Sequence, residues 1–251
     1  MKLVRDTWLI FRRQCTLFLR SPFGAVIGVI QPLFYLLLFA PLLVPALGAS
    51  SRAEAYRIFV PGLLVLLAMF ASLFVGLGLL EEIRGGILDR SRVTPVSRTA
   101  LLLGRSLRDV VVILLQATIL IVVALPFGLR VQVSNLLLAY LLLGVVTVGL
   151  SAFSYALALR LKSIRAVSPL IQLLSQNLLL LSGVLLPMAF APHWLRLLSD
   201  ANPLTYVVNG SRALFGGGIV TTSVWQALAV SIPLAVLCVV WASRAFARGL
   251  R

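Results

Sequence analysis

The run IFVPGLLVLLAMFASLFVGLGLL at residues 58–80 is followed directly by EEIRGGILDRSRVTPVSR at residues 81–98. The first stretch carries no charge and is longer than the ~20 apolar residues that a helix needs to cross a ~30 Å hydrocarbon core. The second stretch mixes both signs of charge with Gly, Ser and Pro, which are residues that end helices and form loops. Together they predict a transmembrane helix that leaves the bilayer into a polar connecting segment.

The composition of the whole chain is also that of a membrane protein. Hydrophobic residues make up 61% of the 251 residues, charged residues only 12%, and the mean hydropathy is +1.07. Too little polar surface remains to solvate a water-soluble domain. The net charge of +15 would suit a nucleic-acid-binding protein, but the arginines lie between apolar runs and do not gather on one soluble face. We therefore expect the lipid bilayer to be the main solvent and no nucleic acid to be a partner.

Six apolar runs are long enough to span a membrane, and no Asp, Glu, Lys or Arg falls inside them. A charge at mid-membrane costs about 2.5–3.5 kcal/mol, so the runs are well suited to lipid. The sequence predicts an all-α membrane protein with six transmembrane helices and with no proton relay or ion site inside them. The predicted spans are residues 23–45, 58–80, 110–129, 136–159, 167–190 and 224–243.

The distribution of positive charge predicts an orientation. Most of the 22 Lys and Arg residues fall on the side of the N-terminus, in every second gap between the apolar runs. By the positive-inside rule, both termini lie in the cytoplasm. Arginine greatly outnumbers lysine, which favours a GC-rich bacterial source. We expect a multi-pass protein of the bacterial inner membrane.

The sequence pattern of residues 1–21 predicts an amphipathic helix that lies in the membrane interface. Apolar side chains recur at steps of four and three, and arginines occupy the remaining face. Ser21 and Pro22 then break the helix before the first span. A soluble helix would have the same periodicity, but the adjoining span favours the membrane surface. The apolar stripe consists of Val4, Trp8, Phe11, Cys15 and Phe18.

Two connecting segments are longer and more patterned than a simple linker requires. In the segment 81–108, Gly85 and Gly86 allow a sharp change of direction and Pro95 ends a short helix. This segment either presents a compact surface to a soluble partner or forms a solvated loop that obeys the charge rule. In the segment 187–222, prolines delimit two short amphipathic pieces, which predict a re-entrant helical hairpin on the outer side.

Polar side chains in two of the spans are candidates for a substrate path. The fifth span carries a polar stripe that lipid would reject, so the stripe faces protein or an internal passage. The first span carries an amide and aromatic side chains near a proline. Hydrogen bonding between helices would explain the glutamines equally well. The candidates are Gln31, Phe34, Tyr35, Gln172, Ser175, Gln176 and Asn177.

Two motif blocks resemble the permease subunits of type-2 ABC exporters, including the daunorubicin-resistance type. The first runs from EEIRG at 81–85 through TPVSR at 94–98 to LLLGR at 101–105. The second runs from Ser182-Gly183 through Pro187, Pro192 and Trp194 to NPLTY at 202–206 and Arg212. With six spans and an amphipathic start, the resemblance covers essentially the whole chain. It implies that residues 22–251 form a single transmembrane domain and residues 1–21 a connecting helix.

The resemblance also implies partners and site residues. A cytosolic ABC ATPase, present in two copies with ATP and Mg, would receive a coupling helix near residues 87–97. A second permease subunit, identical or homologous, would complete the path. The implied ATPase contacts are Glu81, Glu82, Arg84, Leu88, Arg90, Val93 and Pro95. The residues implied in the outer hairpin are Pro187, Trp194, Asn202, Pro203 and Arg212.

No nucleotide or catalytic motif is present in the sequence itself. A Walker loop requires a lysine after its glycines, and the two lysines, Lys2 and Lys162, follow no such loop. His193 has no carboxylate or cysteine beside it, so we predict no metal site and no enzyme activity. The expected function is ATP-driven export of a hydrophobic or amphipathic drug or secondary metabolite. Export of lipid, glycolipid or polysaccharide, and a stand-alone secondary carrier, are the alternatives.

Overall fold

The protein is all-helical in the residues that its computed structural model describes, namely 2–20, 23–39, 42, 51–85, 98–184, 188, 191–219 and 221–249. No strand occurs in these ranges, which confirms the predicted all-α class. A π-helical segment, Tyr35–Phe39, continues the helix Phe23–Phe34, and a 3-10 turn, Leu125–Phe127, follows the helix Arg98–Ala124. The α-helices are α1 Lys2–Arg20, α2 Phe23–Phe34, α3 Arg52–Arg84, α4 Arg98–Ala124, α5 Val133–Leu161, α6 Ile164–Leu181, α7 His193–Asp200, α8 Pro203–Phe215 and α9 Thr222–Gly249.

Within the described ranges, five helices are long and apolar enough to cross a membrane: α3, α4, α5, α6 and α9. The predicted first span corresponds to a shorter apolar helix, Val26–Leu38. Residues 40, 41 and 43–45 of that span lie outside the described residues. The count of six spans, the interfacial position of α1 and the re-entrant position of α7 and α8 therefore stay predictions.

Two helix limits differ from the predicted runs. Helix α4 begins at Arg98, so residues 98–108, which the sequence analysis placed in the connecting segment, belong to a helix. This stretch is rich in Leu and Arg, which are strong helix formers. Helix α6 ends at Leu181, before the predicted limit of 190, because Ser182 and Gly183 form a turn in which Gly183 adopts a positive φ of 69°.

Helices α3 and α5 form the centre of the bundle, and α9 and α4 pack against α5. Helices α3 and α5 are in close contact at Gly76, whose N–H donates to Ser154 Oγ at 3.0 Å. The Ser154 hydroxyl in turn donates to the carbonyl of Leu73. A Cβ atom on Gly76 would lie 2.5 Å from the Ser154 carbonyl oxygen, so only glycine permits this contact.

Helix α1 packs against the first half of α4. A Cβ on Gly104 would lie 2.8 Å from Ile10 Cβ, so the two helices touch at backbone distance there. The Arg108 guanidinium lies 5.4 Å from the centre of the Phe18 ring, a cation–π geometry. Most of the apolar stripe of α1 is partly covered, while Val4 and Trp8 are exposed.

The bundle has two chemically different ends. We call the end that contains the last turn of α3 and the start of α4 the loop end, because residues 86–97 connect these helices. The opposite end contains α7, α8 and the starts of α3 and α5, and we call it the hairpin end. There Tyr56 stacks on Phe127 with ring centres 5.3 Å apart, and Asn135 Nδ2 donates to the Leu214 carbonyl at 2.7 Å.

We predict that Gly76→Ala destabilises the bundle, because its methyl group would overlap the Ser154 carbonyl and force α3 and α5 apart. Overpacking of this kind costs about 1–3 kcal/mol. The matched control is Gly78→Ala, two residues along the same helix, where a Cβ meets no atom within 4 Å. Thermal unfolding in a mild detergent should show a lower Tm for Gly76→Ala alone. Equal Tm values for the two variants would contradict the packing described above.

Candidate functional site

A cavity of about 730 Å³ opens between α1, α2, α3, α4 and α6. One wall is apolar and aromatic, and it includes Phe70 and Phe74, whose rings stack 6.3 Å apart. The lining also includes the amides of Gln31, Gln172 and Gln176. Because apolar and hydrogen-bonding surfaces share one space, the cavity suits an amphipathic molecule.

The loop end of this cavity is charged. Arg105 on α4 reaches across to Glu82 on α3, with Nη1 donating to Oε1 at 3.2 Å and Nη2 paired with Oε2. The side chain of Arg105 is 8% exposed and that of Glu82 is 28% exposed. This ion pair joins the helices on either side of residues 86–97.

A second charged group lies beside the first. Asp109, whose side chain is 1% exposed, accepts a hydrogen bond from Arg108 Nη1 at 2.8 Å. Its other carboxylate oxygen accepts from the hydroxyl of Tyr155 on α5 at 2.6 Å. The carboxylate thus has a partner on each oxygen, as a buried charge requires. All three residues line the cavity.

These charges lie on the same helix as a predicted span but outside that span. The helix Thr99–Phe127 contains Arg105, Arg108 and Asp109, and all three precede the uncharged predicted span 110–129. The helix tolerates them because Arg105 pairs with Glu82 and Arg108 with Asp109. Their spacing of three and four residues places them on one helix face, a signal that was available in the sequence. The uncharged run begins at residue 110, immediately after these three residues.

The residues implied as ATPase contacts lie in different environments. Glu81 and Arg84 are exposed at the end of α3. Glu82 points instead into the bundle, toward Arg105. The other members of this group lie outside the described residues: Leu88, Arg90, Val93 and Pro95.

Some of the predicted substrate-path residues line a cavity, and others do not. Gln31, Gln172 and Gln176 line the main cavity, and Gln31 also lines an adjoining cavity of about 420 Å³ together with Phe34 and Tyr35. The hydroxyl of Ser175 is turned to its own helix and donates to the Gln172 carbonyl at 3.0 Å. Asn177 is exposed and its Nδ2 donates to the Leu173 carbonyl at 3.0 Å.

At the hairpin end, Asn202 fixes the start of α8. Its Oδ1 accepts from the N–H of Leu204 at 3.0 Å, and its Nδ2 donates to the Leu178 carbonyl on α6 at 3.0 Å. Pro203 follows as the first helical residue, where its missing N–H costs nothing. Trp194 on α7 is 64% exposed. Pro187 lies outside the described residues.

Arg212 binds three backbone carbonyls from two other parts of the fold. Its Nε donates to Ile58 at 3.1 Å, and its Nη2 donates to Gly183 at 2.8 Å and Val184 at 3.2 Å. Ile58 lies in the turn before Pro61 of α3, one residue after Arg57, whose carbonyl loses its helical donor because proline has no N–H. Burial lowers the pKa of Arg212 to about 10, so the guanidinium stays charged at neutral pH.

A bundle of membrane-spanning candidates around an amphipathic cavity defines a multi-pass membrane permease. The chain belongs to the ABC-2 type transporter family, whose sequence model matches residues 5–215. Membership implies partnership with an ABC ATPase subunit and indicates a transport subunit, not an enzyme.

Three relatives show the extent of the similarity. The transport permease ycf38 of Cyanophora paradoxa is 29% identical over 84% of this chain and 74% of its own length. The ycf38 permease of Pyropia yezoensis is 30% identical over 78% of this chain and 69% of its own length. The daunorubicin resistance ABC transporter permease protein DrrB1 of Streptomyces coeruleorubidus is 28% identical over 79% of this chain and 69% of its own length.

We predict that Arg212→Met loosens the hairpin end, because the carbonyls of Ile58, Gly183 and Val184 would lose their donor. Leaving buried acceptors unsatisfied costs about 1–3 kcal/mol, measurable as a lower free energy of unfolding when SDS is titrated into detergent micelles. Arg130→Met replaces an exposed arginine at the same end and should leave this free energy unchanged. Equal losses in both variants would refute the anchoring role.

Proposed function

We propose that this chain is the membrane-spanning permease subunit of an ATP-driven ABC exporter that moves hydrophobic or amphipathic drugs or secondary metabolites out of the cytoplasm. The cavity is the observation that supports this proposal. Its aromatic wall suits an apolar body, and its amides and ion pairs suit polar substituents. The similarity to a permease named for daunorubicin resistance agrees with this substrate class.

In the proposed transporter, ATP and Mg bind to two copies of a cytosolic ATPase, and a second permease subunit, identical or homologous, completes the path. The chain lies in the bacterial inner membrane with both termini cytoplasmic, so the loop end faces the ATPase. Glu81 and Arg84, which are exposed there, are the described residues best placed for that contact. Glu82 acts from the inside, by holding α3 and α4 together through Arg105.

Export of a lipid-like amphiphile is the second candidate, and the charged loop end of the cavity favours it. Glu82, Arg105, Arg108 and Asp109 line the same cavity as the apolar side chains of Phe70 and Phe74. A molecule with a charged head and an apolar tail would match that division.

The decisive experiment co-expresses the chain with each cytosolic ABC ATPase of its source organism and isolates any complex. Proteoliposomes that contain the complex should move a fluorescent amphipathic drug in a direction set by ATP, and a Walker-lysine variant of the ATPase should abolish this movement. If the purified chain transports the drug in vesicles without an ATPase, the coupling proposed here is wrong.

We predict that Gln176→Leu raises the KM for the transported drug by about 2–10-fold, because one neutral hydrogen bond contributes about 0.5–1.5 kcal/mol. Asn177→Leu is the matched control, since Asn177 is exposed and does not line the cavity. Initial rates of ATP-dependent uptake into inverted vesicles measure both variants. An unchanged KM in Gln176→Leu, or an equal rise in Asn177→Leu, would remove Gln176 from the substrate path.

A further inference from the structure

Glutamine is concentrated around the main cavity. The chain has seven glutamines, and five of them line this one space: Gln14, Gln31, Gln116, Gln172 and Gln176. They come from four different helices, α1, α2, α4 and α6, so the concentration is not a property of one helix face. The primary amide is the most frequent polar group in the lining.

Three of these amides are accessible to an occupant. Gln31, Gln172 and Gln176 are exposed, whereas Gln14 and Gln116 are buried. In the part of the chain that the structure describes, the amides of the three exposed glutamines make no hydrogen bond to another helix. Gln172 and Gln176 are four residues apart on α6, which places them on the same helix face. Their hydrogen-bonding groups are thus available to a molecule in the cavity.

The charged groups that line the cavity cancel one another. Among the described lining residues are two arginines and two carboxylates, and each carboxylate is paired with an arginine. The net charge of the lining is therefore zero. An ionic head that left water for this space would lose its hydration and would find no unpaired counter-charge.

The chemistry of the amide indicates which head groups fit. A primary amide carries two donors and an acceptor. Hydroxyl and amide groups of a ligand can use both kinds of atom, whereas a phosphate only accepts and a quaternary ammonium does neither. Phe70 and Phe74 add apolar aromatic surface to the same cavity. An occupant that matches the whole lining therefore has an uncharged polar part and an apolar part.

We propose that the main cavity selects an uncharged amphiphile whose polar part carries several hydroxyl or amide groups, and that Gln31, Gln172 and Gln176 bind this part. The apolar part contacts Phe70 and Phe74. This rests on the proposed function, because it narrows the substrate class of the same cavity. It also separates the two candidate functions above, since the lipid-like amphiphile of the second one has a charged head.

The first test measures binding to the purified full chain in phosphatidylcholine nanodiscs, without any ATPase. Four probes share a ten-carbon chain, and each is used below its critical micelle concentration: decyl glucoside, decanol, decyl phosphate and decyltrimethylammonium. We expect decyl glucoside to raise the Tm in a saturable manner and at a lower concentration than the other three probes. Equally tight binding of decanol, or of either ionic probe, would overturn the proposal.

The second test removes one amide from the cavity. Gln172→Leu should weaken decyl glucoside binding about 2–10-fold, as expected for the loss of one neutral hydrogen bond. Gln226→Leu is the matched control, because Gln226 is an exposed glutamine on α9 that does not line the cavity. This control should bind decyl glucoside as the unchanged protein does. Equal affinities in the two variants would contradict the role given to Gln172.

The third test changes the charge that the cavity prefers. Gln172→Glu adds a carboxylate to a lining whose other charges are already paired. We expect its affinity for decyltrimethylammonium to rise about tenfold, because an unpaired carboxylate attracts a cation. A glutamine with a purely structural role would give no such gain. Gln226→Glu adds the same charge outside the cavity and should gain no affinity. If Gln172→Glu also gains none, Gln172 does not face the occupant and the proposal is wrong.

These tests can fail independently of the exporter proposal, because none of them requires an ATPase. Selective binding of decyl glucoside by a chain that associates with no ATPase would support the uncharged-head proposal while the exporter proposal fails. ATP-driven drug transport by a complex that does not prefer decyl glucoside over the ionic probes would support the exporter proposal and overturn the uncharged-head proposal.

Discussion

A hydrogen-bonding group that is buried away from water must find a partner within the protein. The hairpin end shows how the fold meets this constraint. Helix α8 begins at Asn202, which accepts from Leu204, and it ends where Arg57 donates to the Gly216 carbonyl at 3.1 Å and Asn135 donates to the Leu214 carbonyl. Arg212 supplies donors to the interrupted backbone nearby. Side chains from other helices thus donate to the carbonyls at the end of α8 that have no partner within the helix.

The same constraint governs the charged loop end. Glu82 and Asp109 are each matched by an arginine, and Tyr155 completes the coordination of Asp109. Removal of one partner from such a pair leaves an uncompensated charge, which is more costly than replacement of the whole pair. A cluster of this kind persists in an apolar bundle because its members neutralise one another. It also gives the cavity a polarity that the adjacent Phe70 and Phe74 lack.

Composition and periodicity were sufficient to predict the helical class, since long uncharged runs can form only helices in lipid. The permease family was also predicted correctly, because its motif blocks can be read locally. The pairing of the buried charges was not predicted, because it depends on contacts between distant parts of the chain. The sequence near Asp109 does not indicate that its partner is Tyr155, which is 46 residues away in the chain. For the same reason, Arg212 was named for its motif, and its three carbonyl partners could not be foreseen.

The contact between Gly76 and Ser154 limits how the cavity can change shape. Helices that meet at backbone distance and share a hydroxyl cannot slide along each other without breaking several contacts at once. We therefore expect α3 and α5 to translate together as a single rigid body. Helices α2 and α6 have smaller interfaces with the rest of the bundle. A change in the volume of the cavity would therefore come from movement of these two helices. Phe70 and Phe74 on α3 would then keep their positions. The glutamines on α2 and α6 would move relative to them when the cavity changes its volume.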